Sequence, residues 1–164
     1  MIILVEGTDG SGKTTLCNRL RFEGYVPLNV VQDDEQYLKY KEYASEELIY
    51  VCDRSFLSDL VYRLEDGKER QGMDLEHMLN ILNSGVKIIF CHSDTSYIDS
   101  MRRGETNITS KCRNDAINHL YNLIYRMLKI FTDVPVMDYN WKSDELSSVI
   151  KFIEGRESDG PVHV

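Results

Sequence analysis

The chain has 164 residues, 42% of them apolar and 28% charged, with a formal net charge of -8 and an isoelectric point of about 5.0. That length suits one domain around a single core. The acidic balance argues against a broad grip on a nucleic acid backbone, which needs a basic face, while leaving room for a local cationic pocket for a phosphorylated small molecule.

Ile2 to Val5 is a short unbroken apolar run that stops at Glu6-Gly7, the pattern of a strand buried on both faces. It lacks the basic start of a signal peptide. No apolar stretch in the chain approaches the roughly 18 residues of a membrane span. Cys17, Cys52, Cys91 and Cys112 are scattered singly, so buried free thiols in a reducing cytosol are expected, and with them a cytoplasmic protein.

The next residues, Gly7-Thr8-Asp9-Gly10-Ser11-Gly12-Lys13-Thr14, satisfy G-x-x-x-x-G-K-[ST] at every fixed position. They lie between an expected strand and an expected helix, the setting this phosphate-binding loop requires. Glycines let backbone N–H groups curl around an anion, and the following helix adds its positive end. Gly7, Asp9, Gly10, Ser11, Gly12, Lys13, Thr14 and Thr15 are therefore the candidate residues for ATP. Lys13 supplies a compact cation to the β- and γ-phosphates, and the Thr14 hydroxyl suits magnesium.

Tyr25 to Val31 reads as a strand carrying Pro27, which belongs at a sheet edge because proline donates nothing to a ladder. The acidic run Asp33-Asp34-Glu35 reads as a solvated helix start. Leu48 to Cys52 is a second buried strand, and at its end stands Asp53-Arg54. Ligands of open α/β sheets sit beyond the carboxyl ends of the strands. Asp53 is then placed to hold magnesium or orient the attacking oxygen, and Arg54 offers a planar fork to an acceptor phosphate. The alternative is that Asp53 caps the next helix and Arg54 pairs with it at the surface.

Val86 to Cys91 is another buried strand, followed by His92 and by Asp94, a helix N-cap candidate. His77 and His119 fall on expected helices without a metal-ligand partner. Lys111 to Phe131 places Ile117, Leu120, Ile124, Met127, Leu128 and Phe131 on one helical face. Val134 to Met137 is a strand with Pro135, again an edge. Ser143 to Glu154 reads as a closing helix with Ser143 as cap and acids in its first turn, and Glu157 to Val164 as a frayed tail. Strand followed by helix, repeated, predicts one α/β domain over residues 1–156, its parallel sheet covered on both faces. Five strands are expected, with the second and fifth at the edges. The guanine-reading Asn-Lys-x-Asp pattern of a GTPase is missing, since Asn140-Trp141-Lys142-Ser143-Asp144 has the wrong spacing.

Val5 to Thr15 together with Asp53-Arg54 resemble the thymidylate kinase branch of the nucleoside monophosphate kinases, in particular its compact phage-type members. The family continues Asp-Arg-aromatic-x-x-Ser-x-x-Ala-Tyr-Gln, and here Ser58 and Tyr62 agree in position while Val61 and Arg63 depart. The resemblance implies a P-loop fold with strand order 2-3-1-4-5. It implies that Asp9 meets the sugar 3′-hydroxyl and Arg54 the 5′-phosphate of an acceptor nucleotide. Phe56, if not core, stacks on the base, and Ser58, Tyr62 and Arg63 complete the acceptor side. Asp59 or Arg63 reads the base edge.

Arg102-Arg103-Gly104-Glu105 resembles the family's lid, placed around residues 102–110. Where some relatives carry an arginine in the loop this chain has Gly10, so the mobile cation falls to Arg102, Arg103 or Arg113, with Arg103 ahead. Trp141 either borders the adenine or packs. The expected reaction is ATP- and magnesium-dependent phosphorylation of a deoxynucleoside monophosphate, thymidylate-like, to the diphosphate. A kinase of nucleic acid ends or of a modified base in DNA, and a nucleotide sensor without turnover, remain as rivals. The partner is a small nucleotide and no membrane; a homodimer through helical faces and a compact monomer are both open.

Overall fold

All five residues of β1 (Ile2–Glu6) are buried, as a strand covered on both faces requires. In the computed structural model, which describes residues 1–28, 42–43, 47–67, 75–102 and 110–155, β1 is the centre of the sheet. It pairs in parallel with β3 (Tyr50–Asp53) on one side and β4 (Lys87–Cys91) on the other. Adding β2 (Val26–Leu28) and β5 (Val136–Tyr139) gives a five-stranded parallel sheet in the order β2-β3-β1-β4-β5. That is the expected order, and the proline-bearing segments lie at its edges. Pro27 sits within β2, whereas β5 starts only after Pro135, whose carbonyl accepts from the Ile88 N–H at 3.0 Å. The fifth strand therefore begins two residues later than expected, with Pro135 contributing only its carbonyl just before it. Leu48 likewise lies outside β3 and is exposed, its carbonyl accepting from the Met1 ammonium at 2.9 Å.

Alternation along the strands sorts the core into two halves. Ile2, Leu4, Ile88 and Phe90 face one way and pack with Leu57 and Val61 of α2 (Phe56–Glu65), Met78 and Ile81 of α3 (Leu75–Leu82), and Ile117, Tyr121 and Leu128 of α5 (Lys111–Phe131). Ile3, Val5, Val51 and Ile89 face the other way, against Leu16 and Leu20 of α1 (Lys13–Phe22) and Val149 and Ile153 of α6 (Leu146–Glu154). The remaining helix, α4 (Ser96–Arg102), follows β4. Each fully buried Ile or Leu contributes about 1.5–3 kcal/mol relative to exposure, so the central strands anchor the whole site.

Three local expectations are corrected. The inward stripe of α5 centres on Asn114, Ile117, Tyr121 and Leu128, which turns Met127 and Phe131 outward to 50% and 75% exposure. The last helix begins at Leu146 rather than Ser143. Asp144 accepts from the Asn140 N–H at 2.7 Å and Asn140 from the Lys142 N–H at 3.1 Å, and these side-chain turns hold 140–144 out of the helix. Helix α4 starts at Ser96, with Asp94 exposed in the turn before it. Cys52 and Cys91 are buried thiols and Cys17 is half-buried, but Cys112 is exposed on α5. Among the described residues no helix is long and apolar enough to cross a membrane. Asp33-Asp34-Glu35, Arg103, the loop Gly104 to Thr109, the tail Glu157 to Val164 and the side chain of His77 lie outside the described residues.

Candidate active site

Beyond β1 the chain turns through Gly7 to Gly12 and enters α1 at Lys13. Gly10 and Gly12 adopt φ of 81° and 91°, where a side chain is strained. Both are also closely packed. A Cβ on Gly10 would lie 2.7 Å from the Ser96 carbonyl carbon, and one on Gly12 would lie 2.9 Å from the Trp141 Cβ and run into its indole. Helix α4 and the turn after β5 thus brace the loop from two sides. Gly12 caps α1 with no side-chain hydrogen bond, and no acidic residue stands in the first turn. The positive end of the helix therefore faces the loop without a built-in counter-charge. Lys13 is buried and folds back to donate to the Thr8 carbonyl at 2.5 Å. Among the described residues the buried Ser11 hydroxyl has no hydrogen-bond partner. A cation, an uncapped helix start and an orphaned hydroxyl around one glycine-rich turn fit a polyphosphate.

The carboxyl end of β3 meets this loop. Thr14 Oγ1 donates to Asp53 Oδ2 at 2.8 Å on the exposed rim. Two adjacent oxygens of this kind suit Mg²⁺, which keeps several waters and takes one or two protein ligands beside phosphate oxygens. Among the described residues no cluster of three or more His, Cys, Asp or Glu forms a closed metal cage. Arg54 follows with φ of 72°, the sole non-glycine residue at positive φ among those described, a conformation that costs about 1–2 kcal/mol. Its N–H donates to the Val5 carbonyl at 3.0 Å. Its guanidinium pairs with the Asp9 carboxylate and lies 5.1 Å from the centre of the Tyr62 ring. Asp9 is thus tied across the loop to an arginine.

Behind this pair lies Glu6, fully buried at the end of β1. Its carboxylate accepts from the hydroxyls of Ser55 and Ser58, the latter at 2.5 Å, and Ser58 is 2.8 Å from the Tyr121 hydroxyl. Burial raises the Glu6 pKa, partly offset by the two serine hydrogen bonds and by the charges of Lys13 and Arg54. Burial likewise pushes the neighbouring Cys91 thiol up to about 12, leaving it inert. The reading of the sequence passed over Glu6 as the end of a strand. A charged residue closing a run otherwise wholly apolar was the available signal.

The site gathers Gly7, Asp9, Gly10, Ser11, Gly12, Lys13, Thr14, Asp53, Arg54 and Tyr62. Other candidates stand elsewhere. Phe56 is 4% exposed and packs in the core beside Leu57 and Val61, so its ring offers no face to a base. Ser58 is turned inward to Glu6 and Tyr121 rather than toward a ligand. Arg63 pairs with Asp59 at 2.7 Å along α2, so the two candidates for reading a base edge hold each other. Thr15 is exposed on α1, and Arg102 is exposed at the end of α4. Arg113 is engaged by Glu65 at 2.7 Å and Asp66 at 2.6 Å, which ties it to the end of α2. Trp141 packs on Gly12 under Lys142, whose ammonium is 5.2 Å from the ring and 2.8 Å from Asp99. His92 pairs with Asp138 at 3.1 Å, outside the loop.

No protein-family model and no curated protein matches the chain. Among solved structures it is similar to the YorR protein from Bacillus subtilis in complex with phosphorylated GDP, with 21% identity, a TM-score of 0.69 and 94% of each chain covered. It is also similar to deoxyadenosine kinase from M. mycoides, with 15% identity and a TM-score of 0.62 over 94% of this chain and 100% of the other. Thymidylate kinase from Candida albicans aligns with 13% identity and a TM-score of 0.54, covering 95% and 93% respectively. At such identities the likeness speaks for architecture, and the fold is that of the P-loop kinases.

Proposed function

We propose that the chain is a phosphotransferase that uses ATP and Mg²⁺ to convert a deoxynucleoside monophosphate, thymidylate-like, to the diphosphate. The observation that carries this reading is the Asp9–Arg54 pair, which joins the phosphate loop to a cation at the neighbouring strand end. A hydrolase needs, beside the loop, a group that orients water and has no acceptor phosphate to bind. A kinase needs a second anion-binding group beside the loop, and Arg54 has the forked geometry for a phosphate.

In this reading the loop amides from Gly7 to Thr15 cradle the donor phosphates, with Lys13 as the mobile point charge inside the turn. Thr14 and Asp53 would hold the metal, which would supply positive charge to the donor phosphates. Arg54 exchanges its bond to Asp9 for the acceptor phosphate, which frees the Asp9 carboxylate for a sugar hydroxyl. Tyr62 supports the guanidinium through its ring face. Arg102, with Arg103 and the lid around 102–110, brings further positive charge as the site closes. Residues 1–156 are one kinase domain in this reading.

The resemblance of Val5 to Thr15 and Asp53-Arg54 to thymidylate kinases supports the acceptor class, as does the sharing of a fold with kinases of nucleosides and nucleotides. The test is ATP-dependent ADP release with each of the four deoxynucleoside monophosphates, with 5-substituted deoxyuridylates, and with 5′-hydroxyl oligonucleotides. Turnover on a free monophosphate is expected. Turnover on oligonucleotides alone would transfer the reading to a nucleic acid end, and ATP binding without any turnover would make the protein a sensor.

A further inference from the structure

Arg54 occupies a backbone conformation that its own chemistry disfavours, so something else must hold it there. Two consecutive residues of β1 do so from either side. The Val5 carbonyl takes the Arg54 N–H at 3.0 Å. The Glu6 carboxylate takes the hydroxyl of Ser55, the next residue, and that hydroxyl also accepts from the Leu57 N–H at 3.3 Å as the cap of α2. The second carboxylate oxygen takes Ser58 one turn further along. The corner is thereby fixed at Arg54's backbone, at the residue after it and at the first turn of the helix it enters.

We propose that Glu6 is a positioning residue for acceptor binding: through Ser55 and Ser58 it locks the β3–α2 corner so that the Arg54 guanidinium is presented beside the phosphate loop. The inference rests on the kinase reading above, and it assigns to the donor strand a task on the acceptor side. Burying a carboxylate is costly unless it is fully hydrogen-bonded and near positive charge. Glu6 has two hydroxyl donors and stands within the fields of Lys13 and Arg54. An apolar residue here would continue the β1 pattern at no such cost, yet it would remove the acceptor that Ser55 and Ser58 share and leave the corner unpinned. Tyr121 is the outer end of the network, hydrogen-bonded to Ser58.

Two variants approach the lock from its two ends. Glu6→Gln keeps the volume but removes the charge, and Ser55→Ala removes the hydroxyl beside Arg54. Both are measured by steady-state kinetics with ATP, by calorimetric titration of dTMP, dCMP, dAMP and dGMP, and by thermal unfolding. In each variant the KM and Kd of the acceptor are expected to rise about tenfold, the scale of one hydrogen bond to a charged group. The KM for ATP is expected to stay within about twofold on the same scale. Ser55→Thr, which restores the hydroxyl, should recover most of the acceptor affinity. A merely structural role predicts a lower melting temperature and a smaller active fraction, which reduces apparent kcat and leaves both KM values alone; that outcome overturns the proposal. Wild-type acceptor affinity in both variants overturns it too, while leaving the kinase reading intact. If none of the four monophosphates binds the wild-type protein, the kinase reading falls and this inference falls with it.

Discussion

The two strand ends that meet at the site are built from different materials. After β1 the ligand surface is backbone: glycines at positive φ, an uncapped helix start, and a single side-chain cation in Lys13. After β3 it is side chain: Asp53 toward Thr14, and a strained Arg54 held by Val5, Asp9 and the Glu6–Ser55 bond. A backbone cradle is written chiefly in its own loop, because glycine takes those turns without strain, even where α4 and Trp141 brace it. A side-chain clamp depends on what packs behind it. The donor half should therefore fail through changes inside its own loop, and the acceptor half through changes some distance away.

The strongest way to break this contrast is Phe56→Ala. Phe56 opens α2 directly after the Arg54 corner and is buried in the core, so its removal should cost about 3–5 kcal/mol of stability, read by denaturant unfolding. The acceptor corner should loosen before the phosphate loop, detectable as faster amide exchange around Arg54 than around Lys13. Lys13→Ala comes next. It leaves the fold in place and should lower kcat by roughly 10²-fold, the scale of losing one preorganised charge donor, measured by ADP release at saturating substrates.

Arg54 allows a finer cut. Arg54→Gly and Arg54→Ala both delete the guanidinium and should impair acceptor use equally. The glycine variant should nevertheless be more stable by about 1 kcal/mol, since φ of 72° is strained for alanine and not for glycine. Equal melting temperatures would mean that the corner relaxes once the side chain is gone. The smallest effect is expected at Asp59→Ala. Its partner Arg63 lies one helical turn away and both are about a third exposed, so the change should cost only about 0.3–0.5 kcal/mol. Acceptor affinity should be unchanged if the pair is no more than a surface contact on α2.

The same contrast explains what could be read from the sequence. The glycine pattern with Lys13 and Thr14 is local, and its position between a buried strand and a helix follows from hydrophobic runs alone. The edge places of the second and fifth strands were legible because Pro27 and Pro135 do not belong in central strands, and the full order came with the family resemblance. Arg54 was legible as the charged residue after a buried strand. Phe56, which the sequence left between core and base, and Ser58 share one difficulty: spacing along a helix does not reveal which side of it faces the core. The packing of α2 against β1 turns both inward. Glu6 escaped notice because its partners are 49 and 52 residues away, and no local pattern joins them. The late start of α6 goes with the side-chain turns that Asp144 and Asn140 make to the N–H groups of Asn140 and Lys142, a local pairing that a helical stripe does not announce.

The claim on which the account rests is a division of labour between loop and corner. It is tested most directly by titrating Mg·ATP into Arg54→Ala and into Lys13→Ala, each beside the wild type, and then titrating the acceptor monophosphate. The account predicts that Arg54→Ala binds ATP as the wild type does and loses acceptor affinity by about tenfold or more, while Lys13→Ala weakens ATP. Loss of ATP binding in Arg54→Ala, with acceptor affinity retained, would contradict it.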